Sequence, residues 1–217
     1  MSGQPPLYDV ILGVAHTQAD PGCSAGSIVE HAWSESATQA CAWALAAGFW
    51  KVNILREEDP SSNEALRRKV KQANRLGSVI AVEIHLNAAV YRDDDNREQT
   101  NPHPRGPLVL AWGTSELGMS AARAVLRSLT TRPGGDGFNQ GVARLPDPKY
   151  GRKGWVEDTA CPAIIVEAGF VTNADDLAWL ESQGSAEWVG AAVARALCLW
   201  LGETDRARFA DGKPSAL

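Results

Sequence analysis

Residues 79–87, VIAVEIHLN, constrain the fold of this chain more than any other segment. They are mostly apolar and rich in β-branched side chains, a pattern that predicts a buried β-strand. Because side chains alternate along a strand, Glu83, His85 and Asn87 share one face. Polar groups on a core strand are costly unless something pairs with them. His85 is therefore either a metal ligand or catalytic base at the edge of a sheet, or a hydrogen-bonded core histidine.

Length and composition are those of an ordinary globular protein. The 217 residues, 44% of them apolar and 22% charged, suffice for one α/β domain with a full core. The net charge of −5 disfavours nucleic acid as the partner. We find no run of about 18 apolar residues, the length that a membrane span would need, so no span is expected.

Two features bear on the compartment in which the chain is made. The segment MSGQPP has neither the basic start nor the apolar stretch of an ordinary signal peptide, so we expect synthesis in the cytoplasm without export by that route. The cysteines, Cys23, Cys41, Cys161 and Cys198, are far apart and form no Cys-x-x-Cys pair. We therefore expect reduced thiols and no zinc knuckle.

Apolar runs alternate with segments of helical periodicity, which predicts an α/β fold with a central mixed, mostly parallel sheet flanked by helices on both faces. Strands are predicted over residues 8–15, 49–55, 79–87, 107–112, 141–145 and 162–170. Helices are predicted over residues 26–47, 61–76, 115–129 and 185–201, with another beginning at residue 173.

The same patterns predict the domain organisation. Residues 8–201 should form a single catalytic domain, with a flexible N-terminus over residues 1–7 and a flexible, charged tail over residues 202–217. Residues 91–106, YRDDDNREQTNPHPRG, are long, charged and contain proline. A loop of that length in a compact domain is usually functional or disordered, and we expect it to form a mobile rim over the cleft.

Three predicted strands end in, or carry, a residue suited to catalysis: His16, His85 and Glu167. Sites in open α/β sheets gather beyond the C-terminal ends of the strands, and Glu30 in the helix after His16 could face the same crevice. Two histidines and one glutamate on Zn²⁺ would leave a position for water, the usual arrangement in a hydrolytic site. A further carboxylate beside that water could act as general base.

Each of these residues also has a simpler explanation. Glu30 could close a capping box with Ser27, since the Ser-x-x-Glu spacing is right. His16 could lie in a loop without a role, and Glu167 could pair with a nearby basic side chain. His31 is expected to be solvated. We find no short zinc signature such as His-Glu-x-x-His, so spacing alone is a weak signal.

Four motifs in order carry a family resemblance. They are AHTQADPG at residues 15–22, Glu30 at the opening of the next helix, EIHLNA at residues 83–88, and EAGFVTN at residues 167–173. Together, over about residues 8–201, they resemble the zinc-dependent N-acetylmuramoyl-L-alanine amidases of bacterial autolysins and phage lysins. The family has glycines where Ala15 and Thr17 stand here, and a serine at Glu83.

The resemblance implies a substrate, a cofactor and residue roles. The substrate would be peptidoglycan, and the bond would be the amide between the lactyl group of N-acetylmuramic acid and L-alanine. His16, Glu30 and His85 would bind Zn²⁺, and Glu167 would take a proton from water and deliver it to the leaving amine. If Glu30 is only a helix cap, Glu83 is the next candidate ligand.

Residues around the expected site are open to two interpretations. Asn87 could orient a zinc ligand through a hydrogen bond. Arg152, Lys153 and Trp155, just before the last strand, could contact the sugar–peptide chain, or could simply pack and carry surface charge.

The lack of an ordinary signal peptide and of a separate wall-binding domain fits a phage lysin. Such a protein would remain in the cytoplasm until a separate permeabilising protein releases it to the cell wall. We expect a monomer. A bacterial enzyme exported by another route is the alternative origin.

Three other functions remain open at this stage. One is a different zinc hydrolase on the same scaffold, such as a peptidase or deacetylase. Another is a metal-free glycosidase that pairs Glu167 with Glu30 or Glu83. The third is a non-catalytic module that binds the wall.

Overall fold

The computed structural model describes residues 6–59 and 61–210, with the backbone alone for residue 62 and residues 205–210. Within these residues, the strands are β1 (Tyr8–Val14), β2 (Ser24–Ala25), β3 (Ile28–Val29), β4 (Val52–Leu55), β5 (Ser78–Asn87), β6 (Val90–Arg92), β7 (Glu98–Thr100), β8 (Leu108–Trp112), β9 (Gly141–Leu145) and β10 (Ala163–Phe170). The helices are α1 (Glu30–Ala47), α2 (Ser62–Leu76), α3 (Glu116–Leu129), α4 (Gly154–Asp158), α5 (Ala174–Leu180) and α6 (Ser185–Ala210).

The central sheet is mixed and mostly parallel, as predicted. Its strand order is β4-β1-β5-β10-β8-β9, and β8 runs antiparallel to β10, whereas the other neighbouring pairs with recorded register are parallel. Helices α1, α3 and α6 contribute to the core on one face, and α2 and α4 to the core on the other. The prediction of helices on both faces is therefore confirmed.

Alternation along β5 places its side chains as the sequence predicts. Val82, Ile84 and Leu86 belong to the core under α1 and α6. Glu83 and His85 therefore point to the face that α2 and α4 cover. The strands that flank β5 in the sheet are β1 and β10.

The predicted start of the first long helix, near Ser27, is wrong. The helix begins at Glu30, and the residues before it pair as the short strands β2 and β3. Both the backbone N–H and the hydroxyl of Ser27 donate to Glu181, at 2.7 and 3.0 Å. A helix-capping hydroxyl would accept a backbone N–H, whereas the Ser27 hydroxyl donates to a carboxylate at the C-terminal end of α5, far away in sequence.

The predicted loop over residues 91–106 instead contains the hairpin of β6 and β7. Asp93 organises its turn: one carboxylate oxygen accepts the N–H groups of Asp95 and Arg97 at 3.1 and 2.9 Å. Beyond the hairpin, the buried Asp176 accepts the N–H of Gly106 at 2.7 Å. The carboxylates of Asp93 and Asp176 thus accept backbone N–H groups that a loop without strand pairing would leave without a partner.

Two further boundaries differ from the predictions. Residues 154–158 form the short helix α4, where no helix was predicted, and α6 continues to Ala210 instead of ending at residue 201. Beyond Gly202, residues 203–210 hold no glycine or proline that would end a helix. Residues 1–5 and 211–217 of the predicted flexible ends lie outside the described residues. No helix among the described residues combines the length and hydropathy that a membrane crossing requires.

Helices α1 and α6 pack closely because Gly190 brings their backbones together. A Cβ at residue 190 would lie 2.2 Å from the carbonyl oxygen of Ala37 and 2.8 Å from the backbone nitrogen of Cys41. Contacts of that length with backbone atoms cannot be relieved by rotating a side chain.

We predict that Gly190→Ala destabilises the protein by ~1–3 kcal/mol, the usual cost of overpacking a core, despite alanine's better helix propensity. Gly202→Ala on the same helix is the control, because no atom of the described residues lies within 4 Å of a Cβ there; it should stabilise by up to about 1 kcal/mol. Denaturant unfolding of both variants measures the difference, and equal stability of the two variants would contradict the proposed close packing.

Candidate active site

The turn after β1 holds His16 in an uncommon backbone conformation. His16 has φ 59°, in the left-handed region that non-glycine residues seldom adopt. The N–H of Thr17 donates to the carbonyl of Asp20, and the N–H of Asp20 donates to the Thr17 hydroxyl at 3.0 Å. These bonds turn the chain sharply just after the end of β1, where His16 lies.

Gly22, the glycine of the Asp-Pro-Gly motif, is required for two reasons. Its φ is +78°, and a Cβ there would lie 2.5 Å from Glu30 Oε2 and 2.8 Å from His16 Nε2. A side chain at this position would therefore be strained and would also collide with two of the predicted site residues.

Glu30 is almost fully buried, with 3% of its surface exposed. Its Oε2 accepts the N–H of Cys23 at 2.9 Å, and its Oε1 accepts the N–H of Leu86 at 3.1 Å. The capping-box interpretation of Glu30 with Ser27 is therefore wrong. Two backbone donors instead fix the carboxylate at the point where β1 and β5 end.

The two histidines meet at this carboxylate. His16 Nε2 lies 3.2 Å from Glu30 Oε2, and His85 Nδ1 lies 3.1 Å from Glu30 Oε1. One potential ligand atom from each of the three residues lies within 4.8 Å of the others. Neighbouring ligands around a tetrahedral zinc with ~2.0–2.1 Å bonds are ~3.3 Å apart. The trio could therefore hold a metal ion with little rearrangement.

The electrostatics of the trio favour a bound cation. Burial alone would lower the pKa of His85, but hydrogen bonds to Glu30 and Glu83 outweigh it and raise that pKa to about 10. Burial would raise the pKa of Glu30, but His16 and His85 outweigh it and hold that pKa well below its usual range. A positive charge is thus stabilised between these groups, whether a proton or a metal ion carries it.

Cys23 lies beside Glu30 but is a poorer candidate ligand. Burial, together with the nearby Glu30, raises the pKa of its thiol well above the usual range. The Sγ atom lies 3.8 Å from the carbonyl oxygen of Leu86, within reach of a weak hydrogen bond. Because only the thiolate binds zinc well, this environment works against cysteine ligation.

Glu167 faces the same space from the neighbouring strand. The register of β10 and β5 places Glu167 directly beside His85. Its Oε2 is buried and has no hydrogen-bond partner among the described residues. Burial raises the pKa of Glu167 to about 7, since the opposing attraction of His85 is smaller and Glu30 adds to the rise. The arrangement suits a group that exchanges a proton near neutral pH.

The far side of His85 contains two residues that the sequence interpretation did not pair. His85 Nε2 lies 3.1 Å from Glu83 Oε2, and the ammonium group of Lys69 lies 2.6 Å from Glu83 Oε1. Burial alone would raise the pKa of Glu83, but Lys69 and His85 lower it to about 2. Glu83 is thus a partner of His85 and is turned away from the space between His16 and Glu30.

A signal for Lys69 is present in the sequence. On α2, Lys69 lies four residues after Ala65 and four before Ala73, both buried, so it interrupts an apolar stripe.

His31, expected to be solvated, is instead buried, and its Nδ1 lies 2.9 Å from the carbonyl oxygen of Ala15. It thereby supports the residue next to His16.

A cavity of about 390 Å³ opens over these residues. Lys153, Asn87 and Trp155 line it. Trp155, which could have contacted substrate, is only 1% exposed and packs in the core. Arg152 lines it too, and is held by ion pairs of 3.0 Å to Glu157 and to Asp158.

Comparison with known proteins agrees with this geometry. Residues 10–198 match the model of the family described as N-acetylmuramoyl-L-alanine amidase. The chain belongs to this family. It is thus an amidase that acts on peptidoglycan, and the interpretation as a non-catalytic wall-binding module is wrong. No curated protein matches the chain significantly.

Solved structures share the amidase fold. The N-acetylmuramoyl-L-alanine amidase AmiC2 of Nostoc punctiforme aligns with a TM-score of 0.72 at 21% identity, covering 90% of this chain and 97% of that one. The CwlD amidase from Clostridioides difficile, solved in complex with the GerS lipoprotein, gives 0.72 at 17% identity, covering 90% and 99%. The catalytic domain of the CD27L endolysin, described as targeting Clostridia Difficile, gives 0.69 at 19% identity, covering 88% and 96%.

We predict that His16→Asn weakens zinc binding by more than ~100-fold, because loss of a ligand should exceed the 10–100-fold cost of losing a ligand's hydrogen-bond partner. Asparagine tolerates the left-handed conformation, so the metal-free variant should melt close to the parent. His103→Asn, at an exposed histidine outside the site, is the matched control. Competition with a chelator measures the affinities, and unchanged affinity in His16→Asn would remove His16 from the metal site.

Proposed function

We propose that the amidase is zinc-dependent and cleaves the amide between the lactyl group of N-acetylmuramic acid and L-alanine. The observation that carries this proposal is the convergence of His16, Glu30 and His85 within ligand distance, beside a carboxylate oxygen of Glu167 that no described residue pairs. When bound, zinc would polarise the scissile carbonyl and lower the pKa of the attacking water to ~7.

The protein's own groups would divide the remaining work. Glu167 would take a proton from the attacking water and return it to the departing amine of alanine. A pKa of about 7 suits both steps, because the carboxyl group can be either charged or neutral at working pH. Glu30 would remain a negatively charged ligand, since two backbone N–H groups and two histidines stabilise its carboxylate.

The structure offers little support for a glycosidase with paired carboxylates. That mechanism needs a second carboxyl group free to act beside Glu167. Both oxygens of Glu30 accept backbone N–H groups, and both oxygens of Glu83 contact cationic partners. Product analysis would distinguish a deacetylase or peptidase on the same scaffold from the amidase, because only the amidase frees the amino group of the L-alanine next to muramic acid.

We further propose that the chain acts as a phage-type lysin. The likeness to the catalytic domain of an endolysin supports this origin. In this proposal the protein is made in the cytoplasm, acts as a monomer, and reaches the wall after a separate permeabilising protein opens the membrane.

We predict that Glu167→Gln retains zinc but lowers turnover of purified peptidoglycan by ~10²–10⁴, the usual worth of a positioned acid–base group. Glutamine keeps the shape of the side chain and removes the basic oxygen. Glu203→Gln, at an exposed glutamate on α6, is the control and should match the parent.

The assay should count new N-terminal alanine, with reducing ends and acetate as the products of the rival reactions. Chelator treatment should abolish alanine release, and added zinc should restore it. Near-normal turnover in Glu167→Gln would contradict the acid–base role, and loss of zinc would make Glu167 a ligand.

A further inference from the structure

Lys69 and Glu83 form an ion pair in the core next to the proposed zinc site. Each side chain is only 3% exposed, and Nζ lies 2.6 Å from Oε1. A buried ion pair is weak grounds for stability, because well-packed apolar residues can often replace it at no cost. The pair therefore calls for another explanation, and its contacts supply one.

The contacts of Glu83 define which nitrogen of His85 is available to a metal. Its Oε2 lies 3.1 Å from His85 Nε2. A charged carboxylate can only accept hydrogen bonds, so Nε2 carries a hydrogen. Nδ1, on the opposite side of the ring, faces Glu30 Oε1 at 3.1 Å and carries a hydrogen too when no metal is bound. Glu83 thus fixes the orientation of the ring and keeps the hydrogen on Nε2, so that Nδ1, on the side of Glu30, is the nitrogen left for a metal.

Lys69 connects this arrangement to the strand that carries His16. Besides Glu83, its ammonium group donates to the carbonyl oxygen of Val14, two residues before His16. One cation therefore joins the ends of β1 and β5, which carry the two histidines. The hydrogen bonds that Lys69 donates to Val14 and Glu83 limit the movement of the two histidines relative to each other.

The surrounding core is shaped to admit the pair. A Cβ at Gly13 would lie 2.7 Å from Glu83 Oε1 and 3.0 Å from the Trp155 ring. Lys69 Nζ lies 5.9 Å from the centre of that same ring, a distance at which a cation is attracted to the aromatic face. A larger residue at position 13 would push Glu83 away from His85.

We propose that Lys69 and Glu83 are positioning residues, which hold His85 with Nδ1 directed towards Glu30 and so preorganise the metal site. The inference rests on the proposed zinc-dependent function and adds to it residues that do not touch the metal. Partners of this kind are worth 10–100-fold in metal affinity in other proteins.

Two double variants separate positioning from simple structural support. Lys69→Met/Glu83→Leu replaces the pair by apolar side chains of similar size and removes the acceptor for Nε2–H. Lys69→Met/Glu83→Gln removes both charges but keeps an acceptor oxygen. We expect the leucine variant to bind zinc 10–100-fold more weakly than the parent, and the glutamine variant to recover most of that loss.

Metal-free melting temperatures provide the second readout. Both double variants should melt near or above the parent, since neither leaves an unpaired buried charge. A purely structural pair would instead change melting in both variants and zinc affinity in neither, and that result would overturn the proposal. If the leucine variant keeps the parent's affinity for zinc while His16→Asn loses it, only the positioning role is overturned. A parent that binds no zinc would overturn both proposals.

A measurement on the unaltered protein remains decisive if a variant fails to fold. With ¹⁵N-labelled histidine and ¹¹³Cd in place of zinc, NMR coupling should appear at Nδ1 of His85, and Nε2 should keep its hydrogen. Coupling at Nε2 would overturn the proposal.

Discussion

The carboxylate of Glu30 is the point on which the candidate site depends. It is buried, it accepts backbone N–H groups from Cys23 and Leu86, and it faces a nitrogen of each histidine. Without cationic partners, a charge at this depth would cost several kcal/mol. The fold therefore brings the ends of β1 and β5 and the start of α1 to one place, where a positive charge has to be present.

This requirement also explains the local backbone. His16 contacts Glu30 from a left-handed conformation, and a Cβ at Gly22, itself left-handed, would lie 2.5 Å from the Glu30 carboxylate. On the other side, His85 is held between Glu30 and Glu83, and Lys69 balances the second carboxylate. From Glu30 through His85 and Glu83 to Lys69, negatively and positively charged groups thus alternate from the cavity into the core.

Much of this arrangement could be predicted from the sequence, because alternation along strands is a local property. The β5 segment placed Glu83 and His85 on one face, and β10 carried Glu167 towards the same crevice. The order of four short motifs then indicated the family, which the match over residues 10–198 confirms. The metal and acid–base roles of the individual residues remain predictions.

What the sequence could not provide depends on partners distant in the chain. Ser27 has the spacing of a helix cap, but Glu181, from 154 residues away, takes its donors. Lys69 interrupts an apolar stripe, yet nothing on α2 indicates that its partner is Glu83 on a strand. The hairpin of β6 and β7 is a different case, because Asp93 organises its turn through local hydrogen bonds. The length and charge of residues 91–106 predicted a loop and obscured this local signal.

The most direct test of the account is zinc-edge X-ray absorption on the protein loaded with one equivalent of zinc. Zinc bound by His16, Glu30 and His85 should show nitrogen and oxygen ligands at ~2.0–2.1 Å, with the outer-shell scattering of two imidazole rings and no sulfur. A sulfur ligand at ~2.3 Å would place Cys23 in the metal site, and a spectrum without imidazole scattering would remove both histidines; either result would contradict the central claim.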